Sequence, residues 1–139
     1  MIRFFGGRVM TLANGIETQD IEVWTEGSKI VFVGKPKAEE LDGKVFEREY
    51  DLKGNLLMPS FKNAHTHSAM TFLRSYADDM PLQDWLFKQI FPMEAKLDGE
   101  KVYWLTKLAI LEYLTTGCTA AFDMYFELDD YVKACVESG

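Results

Sequence analysis

Two histidines, the only two in 139 residues, stand one residue apart in the stretch Leu56-Leu57-Met58-Pro59-Ser60-Phe61-Lys62-Asn63-Ala64-His65-Thr66-His67. Side chains alternate faces on an extended strand, so His65 and His67 point the same way and can share one ion. Neutral imidazole is a good ligand for zinc, and also for nickel and iron. The pair therefore predicts one divalent metal ion, zinc before iron or nickel. The same two residues also fit a plainer reading, as two satisfied polar side chains at a strand end.

Context bears on that choice. The pair closes an apolar run that reads as a buried strand, and small polar residues follow it. In a (β/α) barrel, that end of a strand is where chemistry sits. A cupin-like pair calls for a carboxylate a few residues on, and a metallo-β-lactamase-like pair calls for Asp-His just beyond. Ser68-Ala69-Met70-Thr71 supplies neither.

The elements that must hold the pair follow from patterning. Residues 1–53 read as a β module with strand-like runs Arg8–Leu12, Asp20–Trp24 and Lys29–Val33, and Glu26-Gly27-Ser28 supplies a hairpin turn. Asp98 caps a predicted helix from Gly99 to Thr116, with Glu100 in its first turn and Gly117 as its stop. Val102, Leu105, Leu108, Ala109 and Leu111 give that helix its predicted apolar face. Thr119–Phe122 reads as a second strand ending at Asp123, Glu127–Ser138 as a second helix, and Leu82–Phe91 as an extra helix in a long loop. Asp123 is expected to cap the helix after it, and Arg74 to pair with Asp78 and Asp79. Strand, helix, strand, helix is the opening of an α/β architecture.

Composition is that of a globular chain, 47% hydrophobic and 27% charged. A net charge of -7 argues against a nucleic-acid surface. No stretch reaches the ~20 apolar residues that span a bilayer, and the N-terminal apolar run is too short for a signal peptide, so a cytoplasmic protein is expected. Cys118 and Cys135 read as free thiols.

Several motifs together resemble one family. Pro59-Ser60-Phe61-Lys62-Asn63-Ala64-His65-Thr66-His67, Met70-Thr71-Phe72-Leu73-Arg74, Leu82-Gln83-Asp84-Trp85-Leu86, Pro92-Met93-Glu94, Thr116-Gly117-Cys118-Thr119 and Phe122-Asp123-Met124-Tyr125 resemble the amidohydrolase superfamily. The likeness is greatest to its 5'-methylthioadenosine/S-adenosylhomocysteine deaminases and chlorohydrolase relatives. Ser60 stands where the family usually has glycine and Lys62 where it usually has an aliphatic residue. Lys62 would then face the helix layer, where an unpaired ammonium is costly.

The resemblance implies an α/β fold, an N-terminal β-sandwich segment (1–53) followed by the first βα units of an incomplete TIM-like (β/α)8 barrel (54–139). Such a barrel takes ~250 residues, so about two of its eight units are present. It implies His65 and His67 as metal ligands, Glu94 as the carboxylate that grips ribose hydroxyls, and Trp85 as a pocket wall. The remaining ligands and the acid–base residues are expected downstream, none of them within this chain. The implied parent is a homo-oligomeric aminohydrolase that deaminates an adenosine-like nucleoside with metal-activated water. This chain alone is expected to be inactive and to need the rest of the barrel. The alternatives are a chlorohydrolase or a guanine or cytosine deaminase, and, in another class, a non-catalytic fragment that acts only in assembly with a complementary chain.

Overall fold

Short runs of β-branched and aromatic residues near the N-terminus pair into two small sheets. The computed structural model describes residues 1–13 and 15–139. It divides into two units, Met1–Pro59 and Ser60–Gly139.

In the first unit the elements in chain order are β1 (Ile2–Phe5), β2 (Arg8–Thr11), β3 (Glu17–Gln19), β4 (Glu22–Glu26), β5 (Lys29–Gly34), α1 (Ala38–Leu41), β6 (Arg48–Asp51) and β7 (Leu56–Leu57). One sheet has the order β5-β4-β1-β6 and the other β3-β2-β7. The β4–β5 hairpin turns on Gly27-Ser28, where Glu26 pairs with Lys29 and Gly27 takes φ +57°, a conformation that glycine adopts without steric cost. The unit ends later than the 53/54 boundary read from the sequence, because β7 pairs in parallel with β2.

Trp24 organises this unit. It is buried, stacks on Phe32 at 4.2 Å between ring centroids and meets the edge of Phe46 at 5.2 Å. Beside it the Arg3 guanidinium donates to Glu22 at 2.7 and 2.6 Å and to Glu49 at 2.8 Å. The Trp24 indole N–H donates to Glu22 as well, at 2.9 Å. These hydrogen bonds, Arg3's first, hold the Glu22 carboxyl below its ordinary 4.5 against the opposing effect of burial. A depressed carboxyl adds stability above its unfolded value and loses it as pH falls through the depressed one. Glu22→Gln should therefore flatten the fall in melting temperature of the protein as pH drops below the ordinary glutamate value of 4.5, as read by thermal unfolding. A slope equal to the parent's would contradict this account.

The second unit carries β8 (Phe61–Thr66), a 3-10 turn at Ser68–Leu73, α2 (Leu82–Trp85), a wide turn at Leu86–Ile90, α3 (Phe91–Glu94), α4 (Gly99–Thr115), β9 (Cys118–Asp123) and α5 (Leu128–Val136). β8 and β9 run parallel, with Phe61 opposite Cys118, Asn63 opposite Ala121 and Thr66 opposite Asp123. A parallel pair needs a long crossover, and the helices between the strands provide it.

The apolar run Leu56–Met58 does not continue into the histidine strand. Pro59 has no N–H for a ladder, and β8 starts only at Phe61. Among the described residues β8 pairs with β9, and within this chain Phe61 is 60% exposed. Lys62, expected against a helix layer, is exposed within this chain and donates to the Ser60 hydroxyl at 3.1 Å.

α4 starts as its cap predicts, the Asp98 carboxylate accepting from the Lys101 N–H at 3.0 Å. Its buried stripe differs from the predicted one. Val102, Thr106 and Ala109 are buried, whereas Leu108 and Leu111 are exposed. The helix packs on the Ser68–Leu73 turn and on α5, and its buried residues form an i, i+4, i+7 row that starts at Val102. The extra helix predicted over Leu82–Phe91 forms in two pieces around the wide turn. There the Phe91 N–H reaches back to the Leu86 carbonyl, and Pro92 next to it has no N–H to give. Among the described residues, no helix is long and apolar enough to cross a membrane.

Candidate functional site

The C-terminal end of β8 places the two imidazoles side by side, 5.0 Å between ring centroids and 82° between ring planes. His67 is fixed from the neighbouring strand. Its Nδ1 lies 2.7 Å from the Met124 carbonyl oxygen, and a carbonyl can only accept, so Nδ1 carries the proton. That tautomer leaves Nε2 as the free lone pair, the arrangement that suits a metal-ligating histidine. Met124 is itself held, its N–H donating to the Thr66 carbonyl at 3.1 Å. The His65 N–H donates to the Asn63 side-chain oxygen at 3.3 Å.

Residues that alternate with the histidines point the other way and are tied down there. The Thr66 hydroxyl lies 2.5 Å and the Ser68 hydroxyl 2.9 Å from the Tyr113 hydroxyl on α4. The Asp123 carboxylate, at the end of β9, accepts the Ser68 N–H through Oδ2 at 3.1 Å. Its other oxygen is buried and takes no partner among the described residues. Asp123 was expected to cap the following helix. Instead Glu127 occupies that position with φ +55°, because the parallel register puts Asp123 beside Thr66 and the start of the turn. Tyr113 escapes sequence reading because it looks like one more large residue in an apolar helix. The period-2 alternation around the histidines is the signal that something must receive Thr66 and Ser68.

One cavity of about 470 Å³ opens beside His67, lined by Met70, Trp85, Leu86, Glu94, Met124 and Tyr125 among others. Of the four residues singled out in the sequence, His67, Trp85 and Glu94 thus meet at one cavity, while His65 is not part of its wall. Glu94 accepts a hydrogen bond from the Tyr125 hydroxyl at 2.9 Å. Burial first, and then this contact, push the Tyr125 phenol well above its ordinary value, so it stays a donor at neutral pH. Arg74 does not pair with Asp78 or Asp79. It forms a forked ion pair with Glu112 at 2.9 and 2.8 Å, because α4 passes alongside and offers a carboxylate in the planar geometry that guanidinium prefers.

Among the described residues, no group of three or more His, Cys, Asp or Glu side chains converges as a metal site. His65 and His67 fit a divalent ion in donor chemistry, and His67 in tautomer as well; they amount to a partial ligand set, since catalytic zinc sites use three protein ligands and structural ones four.

Residues 56–138 match the sequence pattern described as the amidohydrolase family. A 5-methylthioadenosine/S-adenosylhomocysteine deaminase of Desulfitobacterium hafniense (strain DSM 10664 / DCB-2) is 43% identical over 118 residues, 85% of this chain and 27% of that protein. A 5'-deoxyadenosine deaminase of Methanospirillum hungatei JF-1 is 56% identical over 89 residues, 64% of this chain and 20% of that protein. The crystal structure of an adenosine deaminase from Xanthomonas campestris with bound zinc superposes with a TM-score of 0.89 at 33% identity, over 98% of this chain and 31% of that one. The chain spans about a quarter of the length of the curated relatives it matches.

Proposed function

This chain belongs to the amidohydrolase family, and we propose that the protein it forms part of is a metal-dependent aminohydrolase acting on adenosine-like nucleosides. The observation that carries this reading is the meeting of His67, Trp85 and Glu94 at one cavity, with the ligating nitrogen of His67 left free. The names of similar proteins narrow the substrate to nucleosides with an adenine ring, such as 5'-methylthioadenosine, S-adenosylhomocysteine or 5'-deoxyadenosine.

His65 and His67 are the residues that would hold a divalent ion, zinc before others by their donor set. When bound, such an ion supplies Lewis acidity that makes water a competent nucleophile near neutral pH. The chain's own residues do the rest of what this part of the site requires. Met124 keeps the His67 ring in one tautomer and one orientation, so a ligand position is fixed before substrate arrives. Trp85, Met70 and Leu86 offer an apolar wall against which an adenine ring is held and from which water is excluded. Glu94 offers carboxylate oxygens that accept from sugar hydroxyls, which positions the base relative to the histidines. Overall, water adds oxygen at the ring carbon that bears the amino group, and ammonia leaves. The further metal ligands and the groups that move protons are proposed to lie on barrel strands beyond residue 139.

Ammonia release by the intact protein tests the reading. Incubation with 5'-methylthioadenosine, S-adenosylhomocysteine and 5'-deoxyadenosine should yield ammonia and the corresponding hypoxanthine nucleoside from at least one of them, and chelation should stop it. No turnover of any of the three would refute the proposed activity.

A further inference from the structure

Glu94 has two carboxylate oxygens, and the protein uses one of them. Oε1 takes the Tyr125 hydroxyl at 2.9 Å, while Oε2 has no hydrogen-bond partner among the described residues. A glutamate that ends a short helix has three rotatable bonds to order, and ordering them at the moment of binding weakens the contact that results. Tyr125 is itself well placed to remove that cost. Its ring stacks on Phe126 at 4.2 Å and 21°, and it lines the same cavity as His67 and Glu94.

The position of Tyr125 in the chain adds a second reason. Met124, one residue earlier, accepts from the His67 ring through its carbonyl and donates to Thr66 through its N–H. Two consecutive residues after β9 therefore fix both ends of the cavity, the backbone of one holding the imidazole and the side chain of the next holding the carboxylate. The imidazole and the carboxylate are thus each tied to one of two adjacent residues.

We infer that Tyr125 is a specificity-determining positioning residue, whose hydroxyl occupies one oxygen of Glu94 and presents the other to the vicinal diol of a ribose. This rests on the proposed nucleoside site and assigns its preference for ribosides to a residue that never touches the chemistry. A ligand with the same base and no diol gains nothing from the arrangement.

The test compares binding of adenosine and 2',3'-dideoxyadenosine to the metal-stripped intact protein, where no turnover intervenes, in the parent, Tyr125→Phe and Glu94→Gln. The parent should prefer adenosine. Tyr125→Phe should reduce that preference about three- to tenfold, the value of one hydrogen bond, and Glu94→Gln should reduce it further. Tyr125→Leu lacks the hydroxyl without keeping the ring stack, and serves with the same expectation if the phenylalanine variant fails to fold. Equal losses for both ligands in the Tyr125 variants would show a merely structural role and overturn the inference. An unchanged preference in those variants, alongside a preference lost in Glu94→Gln, would also overturn it while leaving the nucleoside site standing. A preference that survives Glu94→Gln would remove the nucleoside reading itself.

Discussion

Replacing His67 by alanine in the intact protein should eliminate retained zinc and lower kcat/KM for the preferred nucleoside by at least about a thousandfold, because Lewis-acid activation contributes several kcal/mol and each ~1.4 kcal/mol is tenfold in rate. The size of the effect follows from geometry. Nδ1 of His67 is committed to the Met124 carbonyl, so only Nε2 is available, and no neighbouring His, Cys, Asp or Glu cluster can substitute for it among the described residues. His65→Ala should lose metal as well. Among the described residues its ring has no such second tether, so part of the deficit should be recovered by excess zinc, whereas His67→Ala should not respond. Metal content after dialysis, read by atomic emission alongside the kinetics, checks both. Full zinc retention by the double variant would place the site elsewhere.

Glu94→Gln should lower kcat/KM on ribosides by about tenfold to a hundredfold, the range for hydrogen bonds to a charged group, and should spare adenine, which has no sugar. The substitution keeps the side chain's shape and removes its charge. Gln also presents an amide N–H₂ where a second acceptor oxygen stood, so one sugar hydroxyl loses its acceptor. Parallel kinetics on 5'-deoxyadenosine and on the free base separate this from a general loss of fold. Equal losses on both would take the sugar-binding role away from Glu94.

Local chemistry made part of this molecule legible before any coordinates. The Asp98 cap, the Gly117 stop and the Gly27-Ser28 hairpin act over a few residues, and each appears where the sequence places it. Features that depend on which strand lies beside which were not legible. Met124 finds His67, and Asp123 finds Ser68, only because β8 and β9 pair in parallel with Thr66 opposite Asp123. Arg74 likewise meets Glu112 across a sequence separation of 38, beyond the reach of any local rule. The α4 face is legible in part, since Val102 and Ala109 are buried as the pattern predicts, while Leu108 and Leu111 are exposed within this chain. Its burial is decided by the close packing of the Ser68–Leu73 turn and α5, which selects the Val102, Thr106 and Ala109 row, rather than by where leucines are most frequent.

His65 and His67 are together proposed to hold the metal that deamination requires, and locating that metal in the protein is the decisive measurement. Crystals of the intact protein grown with zinc should show an anomalous peak at the zinc edge about 2.0–2.1 Å from a ring nitrogen of each histidine. For His67 that nitrogen should be Nε2, with Nδ1 still on the Met124 carbonyl. A peak that engages neither imidazole, or zinc held through Nδ1 of His67 with the Met124 contact broken, would contradict the account.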